Sequence, residues 1–276
     1  MIKLSVCLLF LLLIIGCSKE NIDTKPSHRL KNCKISYLLY NDGFQVMSDG
    51  TYILDPWNNP ADTCYFFYNN SGLNMIKGGL VPNPMGQGYP PYIFTLKAYD
   101  SIHHSNKNIF VTENYPPGDT MINFFEEFIY NLNDLNQLVK LNIRNTFAHN
   151  GFDLYYQITD SVITESFNNN VLRRTFYFEN KNLVRVTSIT KDPSGANFSK
   201  SEILFEDFDD HPNPFRNMYF VRGAFYRAFS ENNYRKYTIN KYYFADDSTW
   251  HMASTFSKSM PVTYNSEGYP EFGEYE

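Results

Sequence analysis

The sequence predicts a mainly β protein: one large antiparallel sheet built from repeated aromatic β-hairpins, with little helix. Three observations carry this. Aromatic residues make up 17% of the 276 residues, as 24 Phe and 22 Tyr beside only 2 Trp. Asparagine recurs at the borders of short apolar runs. Asn, Asp and Gly accept the positive φ angles of tight hairpin turns, whereas aromatic and β-branched residues fit a pleated, half-buried surface. A strand–turn–strand unit also repeats. Asn136-Gln137-Leu138-Val139-Lys140-Leu141 matches Lys181-Asn182-Leu183-Val184-Arg185-Val186, with Phe124, Phe128 and Tyr130 before the first copy and Phe176 and Phe178 before the second.

In chain order, Lys3 supplies a short positive segment and residues 4–15 an apolar run. The run is too short to span a membrane, which takes about 20 apolar residues, and reads as a secretory signal. Its end, Ile14-Ile15-Gly16-Cys17, resembles the bacterial lipobox. The resemblance implies cleavage before Cys17, so that residues 1–16 are the signal peptide and the Cys17 thiol carries diacylglycerol. Residues 17–32 are polar, hold Pro26 and lack apolar periodicity, as expected of a lipidated flexible tether. The opening Ser18-Lys19-Glu20-Asn21 resembles, in part, the Lys-then-acidic signal of surface-exported lipoproteins of Bacteroidota. The expected location is the outer membrane, reached through the lipid, on its periplasmic or its surface side.

Residues 33–276 are expected to form a single β domain. Cys7 leaves with the signal and Cys17 is acylated, so Cys33 and Cys64 remain. In an oxidising compartment they close one disulfide, or they stay as two buried thiols. Hairpin turns are expected at residues 41–43, 69–72, 133–136, 180–182 and 266–268, each a cluster of Asn, Asp, Ser or Gly, and residues 37–46 read as a weak copy of the unit. Ile122, Phe125, Ile129 and Leu132 have helical spacing, but the turn formers of residues 131–136 interrupt it, and two strands are the expectation there. At about residues 78–118 the pattern lapses into a long Pro/Gly-rich loop with at most one strand, Tyr92 to Tyr99. Its Met85, Tyr89 and Tyr92 make it a candidate binding loop.

Two further stretches, Phe208-Asp209-Asp210-His211-Pro212-Asn213-Pro214-Phe215 and Val262-Thr263-Tyr264-Asn265-Ser266-Glu267-Gly268-Tyr269-Pro270, complete a resemblance. With the lipobox and the aromatic hairpins, they are similar to uncharacterised lipoproteins of Bacteroidota whose domains have no assigned function. The hairpins resemble the tyrosine–aspartate (YD) repeats of Rhs-type shell proteins. The resemblance implies an elongated or curled antiparallel sheet from Cys33 onward and no catalytic residues.

Chemistry is sparse. With 24 basic and 29 acidic side chains the net charge is −5, and neither a nucleic-acid footprint nor a polybasic membrane patch is present. Gly-x-Ser-x-Gly, His-Glu-x-x-His, Cys-x-x-Cys and phosphate-cradling glycine loops are missing. His28, His103, His104, His149, His211 and His251 are scattered and read as solvated. Residues 207–215 read as a structural turn and not as a calcium loop, since they lack the pivot Gly and terminal Glu of an EF-hand. No metal and no cofactor are expected. Four Asp-Ser or Asp-Thr dipeptides before an apolar or small residue, at Ser101, Thr120, Ser161 and Ser248, are candidate O-glycosylation sites of the Bacteroidota kind, or turn dipeptides and nothing more. The function expected is that of a lipid-anchored, non-enzymatic binding or structural module for a glycan or protein partner. The alternatives are a hydrolase of envelope or host polymers and a periplasmic lipid carrier.

Overall fold

The computed structural model describes residues 37–39, 45–46, 52–53, 63–70, 72–82, 92–114, 126–145, 150–168, 171–245, 248–260, 262–264, 266 and 270–272. The chain begins with β1 (Tyr37–Leu39), β2 (Gln45–Val46), β3 (Tyr52–Ile53), β4 (Thr63–Asn69), β5 (Gly72–Pro82) and β6 (Tyr92–Ser105). It continues with β7 (Asn108–Asn114), β8 (Glu126–Leu132), β9 (Leu138–Asn145), β10 (Asn150–Ile158), β11 (Val162–Phe167) and β12 (Leu172–Glu179). Then come β13 (Asn182–Lys191), β14 (Asn197–Pro212), β15 (Asn232–Phe244), β16 (Trp250–Ser259), β17 (Val262–Tyr264) and β18 (Pro270–Phe272).

Fourteen strands form one antiparallel meander in the order β1-β4-β5 and onward to β16; β2 pairs with β3, and β17 with β18. The predicted mainly β, hairpin-built fold is what the chain adopts. Alternation is its cause: β7 buries Ile109, Val111 and Glu113, β8 Phe128 and Tyr130, β14 Ile203 and Phe205, and β15 Tyr237 and Ile239. These positions share one face, because successive side chains of a strand point to opposite sides. The turns follow the Asn positions. Asn106 (φ 53°), Asn136 (φ 58°) and the pair Asn180 (φ 48°) and Lys181 (φ 64°) hold left-handed backbone between strands. Asn133 Oδ1 also accepts the Leu135 and Gln137 amides at 2.9 Å. Residues 126–145 are therefore two strands around this turn, as the clustered turn formers predict.

Gly72 turns β4 into β5 at φ +121°, and a Cβ there would lie 3.8 Å from His104 Nε2. The cost of a side chain is thus backbone strain and not a clash. Gly72→Val is expected to destabilise the fold by about 1 kcal/mol or more in a urea titration.

Two expectations are corrected. The loop at about residues 78–118 is mostly strand: β5 runs through Gly78, and β6 and β7 form a hairpin over residues 92–114. The prolines of that stretch misled the reading, since the hairpin they flank carries its own alternation, with Ala98, Ile102, Ile109 and Val111 buried. Residues 37–46 are not a hairpin, because β1 pairs with β4 while β2 pairs with β3. The turn expected at 41–43 lies outside the described residues.

The inner face is covered by the chain's own connection between β14 and β15. Residues 213–230 leave and return at one place: the Asn213 amide donates to Glu231 O at 2.8 Å, and Asn213 Nδ2 donates to Arg227 O at 2.6 Å and Ser230 O at 3.0 Å. Between these ends, Phe215, Tyr219, Phe220, Val221, Phe225 and Tyr226 are all buried. Phe220 meets His104 of β6 (5.7 Å between centroids) and Tyr130 of β8 (6.5 Å), while Tyr226 meets Phe176 of β12 (6.3 Å) and Phe205 of β14 (5.5 Å). Eight strand spacings separate β6 from β14, about 38 Å in a flat sheet. Seven residues from Asn213 to Phe220 reach at most about 25 Å. The sheet must therefore curl around the plug, which makes the second layer that a one-sided sheet requires. β2 lies against the first of the plug's two 3₁₀ turns, Arg222–Ala224 and Arg227–Phe229.

Candidate binding face

A buried ionic pair fastens the plug. Glu165 of β11 receives Arg174 of β12 through two hydrogen bonds, Nε–Oε1 at 2.7 Å and Nη2–Oε2 at 2.6 Å, and Arg174 Nη1 donates to the Tyr226 hydroxyl at 2.9 Å. A β-bulge between Glu165 and Ser166 turns Arg173 to the same side, 3.5 Å from Glu165 and over the Phe167 ring. Burial pulls the Arg174 pKa down, but Glu165 and the neighbouring phenols more than reverse it and hold it well above the ordinary range. Arg173 is shifted the other way, by burial and by Arg174. Arg227, fully buried, stacks on Tyr234 at 4.1 Å and donates to Tyr234 O at 3.2 Å. These charges serve the core.

The outer face of β12–β16 is different. Rows run across it by register. Tyr177, Arg185, Leu204 and Thr238 face one another across β12 to β15, and Ile189, Lys200, Tyr242 and Met252 do so further along β13 to β16. Around the first row opens a groove of about 410 Å³, lined among others by Ser161, Tyr177, Glu179, Val184, Arg185 and Glu206. Irregular strand geometry makes room for it. Register shifts between Tyr177 and Phe178, leaving Val184 extra, and β14 kinks at Asp207 (φ 56°). Arg185 lies 4.1 Å from the Tyr177 ring centre and 4.0 Å from Glu202. Glu206 accepts from Thr238 at 2.9 Å and pairs with Lys236 at 3.2 Å.

Beyond the plug's reach, the ends of β13–β16 are aromatic on both sides, with half-buried rings on the outer side and exposed rings on the inner. On the outer side Lys200 Nζ sits 4.1 Å from the Tyr242 ring centre and 5.9 Å from Trp250, and Trp250 meets Phe244 edge-on at 4.9 Å. Tyr242 also donates to Glu202 at 3.4 Å, and burial followed by the charge of Glu202 raises its pKa. On the inner side Tyr243 stacks on His251 at 5.5 Å, and Phe256 is half exposed. The middle of the outer face is polar and engaged with itself: Asn131 donates to Asn142 at 2.9 Å, Asn142 to Asp153 at 2.5 Å, and Lys140 pairs with Asp153 at 2.7 Å. Burial alone would raise the Asp153 pKa, but Lys140 and Asn142 hold it below the ordinary range. A smaller exposed aromatic group, Tyr65, Phe67 and Tyr99, stands on β4 and β6.

The residues singled out from sequence fall as follows. Cys17, Cys33, Met85, Tyr89 and Thr120 lie outside the described residues. Cys64 is buried, with its thiol donating to Gly78 O at 3.2 Å. Tyr92 opens β6 opposite Pro82. Ser101 is exposed on β6 and accepts from Asn114 at 3.0 Å. Ser161 and Ser248 are exposed at turns, and Ser161 also borders the groove. His104 is not the solvated histidine expected. It points inward with Nε2 2.9 Å from Leu73 O, while His103 points outward beside Phe110. Asp207, Asp209, Asp210 and Asn213 do not converge: Asp207 binds Arg235, Asp210 meets His211, and Asn213 ties the plug. Asp209 instead receives the Tyr264 hydroxyl, and His211 stacks on that ring at 3.8 Å. The two motifs of the family resemblance thus meet as a clasp between β14 and the β17–β18 hairpin. Burial and Asp209 push the Tyr264 pKa upward.

Sequence reading missed Tyr242, Tyr243, Phe244 and Trp250. The available signal was a Tyr-Tyr-Phe run and a Trp-His-Met run flanking one turn, too polar around it to register as a core hairpin.

No family model matches this chain, and no curated protein matches it. Among solved structures, it is similar to a porin-like protein from Bacteroides uniformis ATCC 8492, at 12% identity and TM-score 0.38, over 76% of this chain and 85% of that one. It is also similar to a porin-like protein from Bacteroides vulgatus ATCC 8482, at 7% identity and TM-score 0.42, over 75% of this chain and 84% of that one.

Proposed function

We propose that this chain is a lipid-anchored cell-envelope protein that binds a glycan or protein partner, without catalysis, on the outer face of β12–β16. The observation that carries the reading is the aromatic end around Lys200, where Tyr242, Phe244 and Trp250 gather outside the core with Met252 beside them. The three rings are half-buried and Met252 is exposed; apolar side chains grouped at a surface mark interaction sites, and Tyr and Trp are the residue types on which binding energy concentrates. Cys17 supplies the anchor, and Cys17→Ser is expected to abolish labelling by an alkyne fatty acid.

A lipid-carrier role fits less well, because the inner aromatic face is filled by residues 213–230. A hydrolase would draw on Glu179 and Glu206 at the groove, and Glu206 is already engaged by Thr238 and Lys236.

A glycan array probed with the purified chain tests the binding reading. Bound spots are expected, with signal reduced about tenfold or more in Trp250→Ala and Tyr242→Ala, equivalent to about 1.4 kcal/mol. Full signal in both variants would contradict it.

A further inference from the structure

We propose that the groove and the aromatic end form one continuous track that holds a neutral, unbranched oligosaccharide laid along β14. This rests on the outer face being the binding surface, and adds the ligand class and its direction. On the outer side of β14, Glu206, Leu204, Glu202 and Lys200 follow one another at alternate positions, so the track extends about 20 Å. That is the length of several pyranose rings, and too long for a single sugar. Aromatic rings stand near both ends, Tyr177 at the groove and Tyr242 with Trp250 at the far end. Between them lie hydroxyl, amide and carboxylate groups: Thr187, Glu202, Asn240 and Thr255 occupy one row.

A pyranose presents an apolar C–H face and a rim of hydroxyls, which calls for this alternation of ring and polar row. Carboxylates accept hydrogen bonds from sugar hydroxyls. Charge balance along the track favours a neutral chain. Three cations, Arg185, Lys200 and Lys236, stand against three carboxylates, Glu179, Glu202 and Glu206, so the track carries no net formal charge. An anionic polymer gains no net attraction from such a surface and competes with Glu202 and Glu206 for Arg185 and Lys236, a cost that a neutral chain does not meet.

The test is a length series read by isothermal titration calorimetry on the full purified chain: N-acetylglucosamine with its dimer, tetramer and hexamer, the matching glucose β-1,4 series, and polygalacturonate as the acidic probe. Affinity is expected to rise about tenfold or more from dimer to hexamer. Tyr177→Ala and Trp250→Ala, at opposite ends, should each weaken the hexamer about tenfold, with unchanged far-UV spectra. Equal affinity for dimer and hexamer, indifference of the hexamer to Tyr177→Ala, or tighter binding of polygalacturonate would overturn the track while leaving the binding reading intact. A blank series together with a blank array would overturn both.

Discussion

Glu165→Ala will destabilise the protein by about 3–5 kcal/mol, because it leaves the Arg174 guanidinium buried without its counter-charge. Glu165 is wholly buried and Arg174 nearly so, at 0% and 4% side-chain exposure. Removing one member therefore exposes the survivor to the full desolvation penalty. The loss also reaches the plug, since Arg174 positions the Tyr226 hydroxyl. A fall in Tm of roughly 10 °C is the expected reading, with Arg174→Ala comparable. The triple variant Glu165→Leu with Arg173→Leu and Arg174→Met should recover much of that loss, because an apolar cluster of similar volume leaves neither arginine buried without its counter-charge. Additive losses in the triple variant would show that the three charges are not a unit.

Phe176→Ala comes second, at about 3–5 kcal/mol for a buried aromatic truncation. Phe176 has no exposure and touches rings from three places: Tyr156 of β10 at 6.4 Å, Tyr226 at 6.3 Å and Phe229 at 5.1 Å. The last two belong to the plug, so the cavity would open between sheet and plug. Thermal unfolding checks the magnitude. Enhanced proteolysis within residues 213–230 of the folded variant checks the place. A loss under about 1 kcal/mol would mean that the plug does not pack on this face.

The hairpins were legible because their signals are local. A positive-φ Asn between two alternating runs is specified within about a dozen residues, and 133–136 and 180–182 turned where the Asn clusters stand. The plug was not legible. Residues 213–230 show no strand period and hold Arg227, yet Phe215, Tyr219, Phe220, Val221 and residues 224–228 are buried because the sheet curls around them. That burial depends on contacts with β6 and β8, far away in sequence. The candidate face was hidden for the same reason. Tyr177 and Trp250 share an outer face only through register across β12 to β16, which no local window contains. The histidine pair shows the opposite case: strand alternation alone sends His103 outward and His104 inward, but only the plug explains why His104 is half-buried against Phe220.

Hydrogen exchange of the chain with and without saturating chitohexaose tests the central claim most directly: a core closed by its own connection on one side, and a binding track on the other. Slowed exchange confined to peptides of β12–β16, with residues 213–230 equally protected in both states, is the predicted result. Protection centred on β4–β6, or a change within residues 213–230, would contradict it.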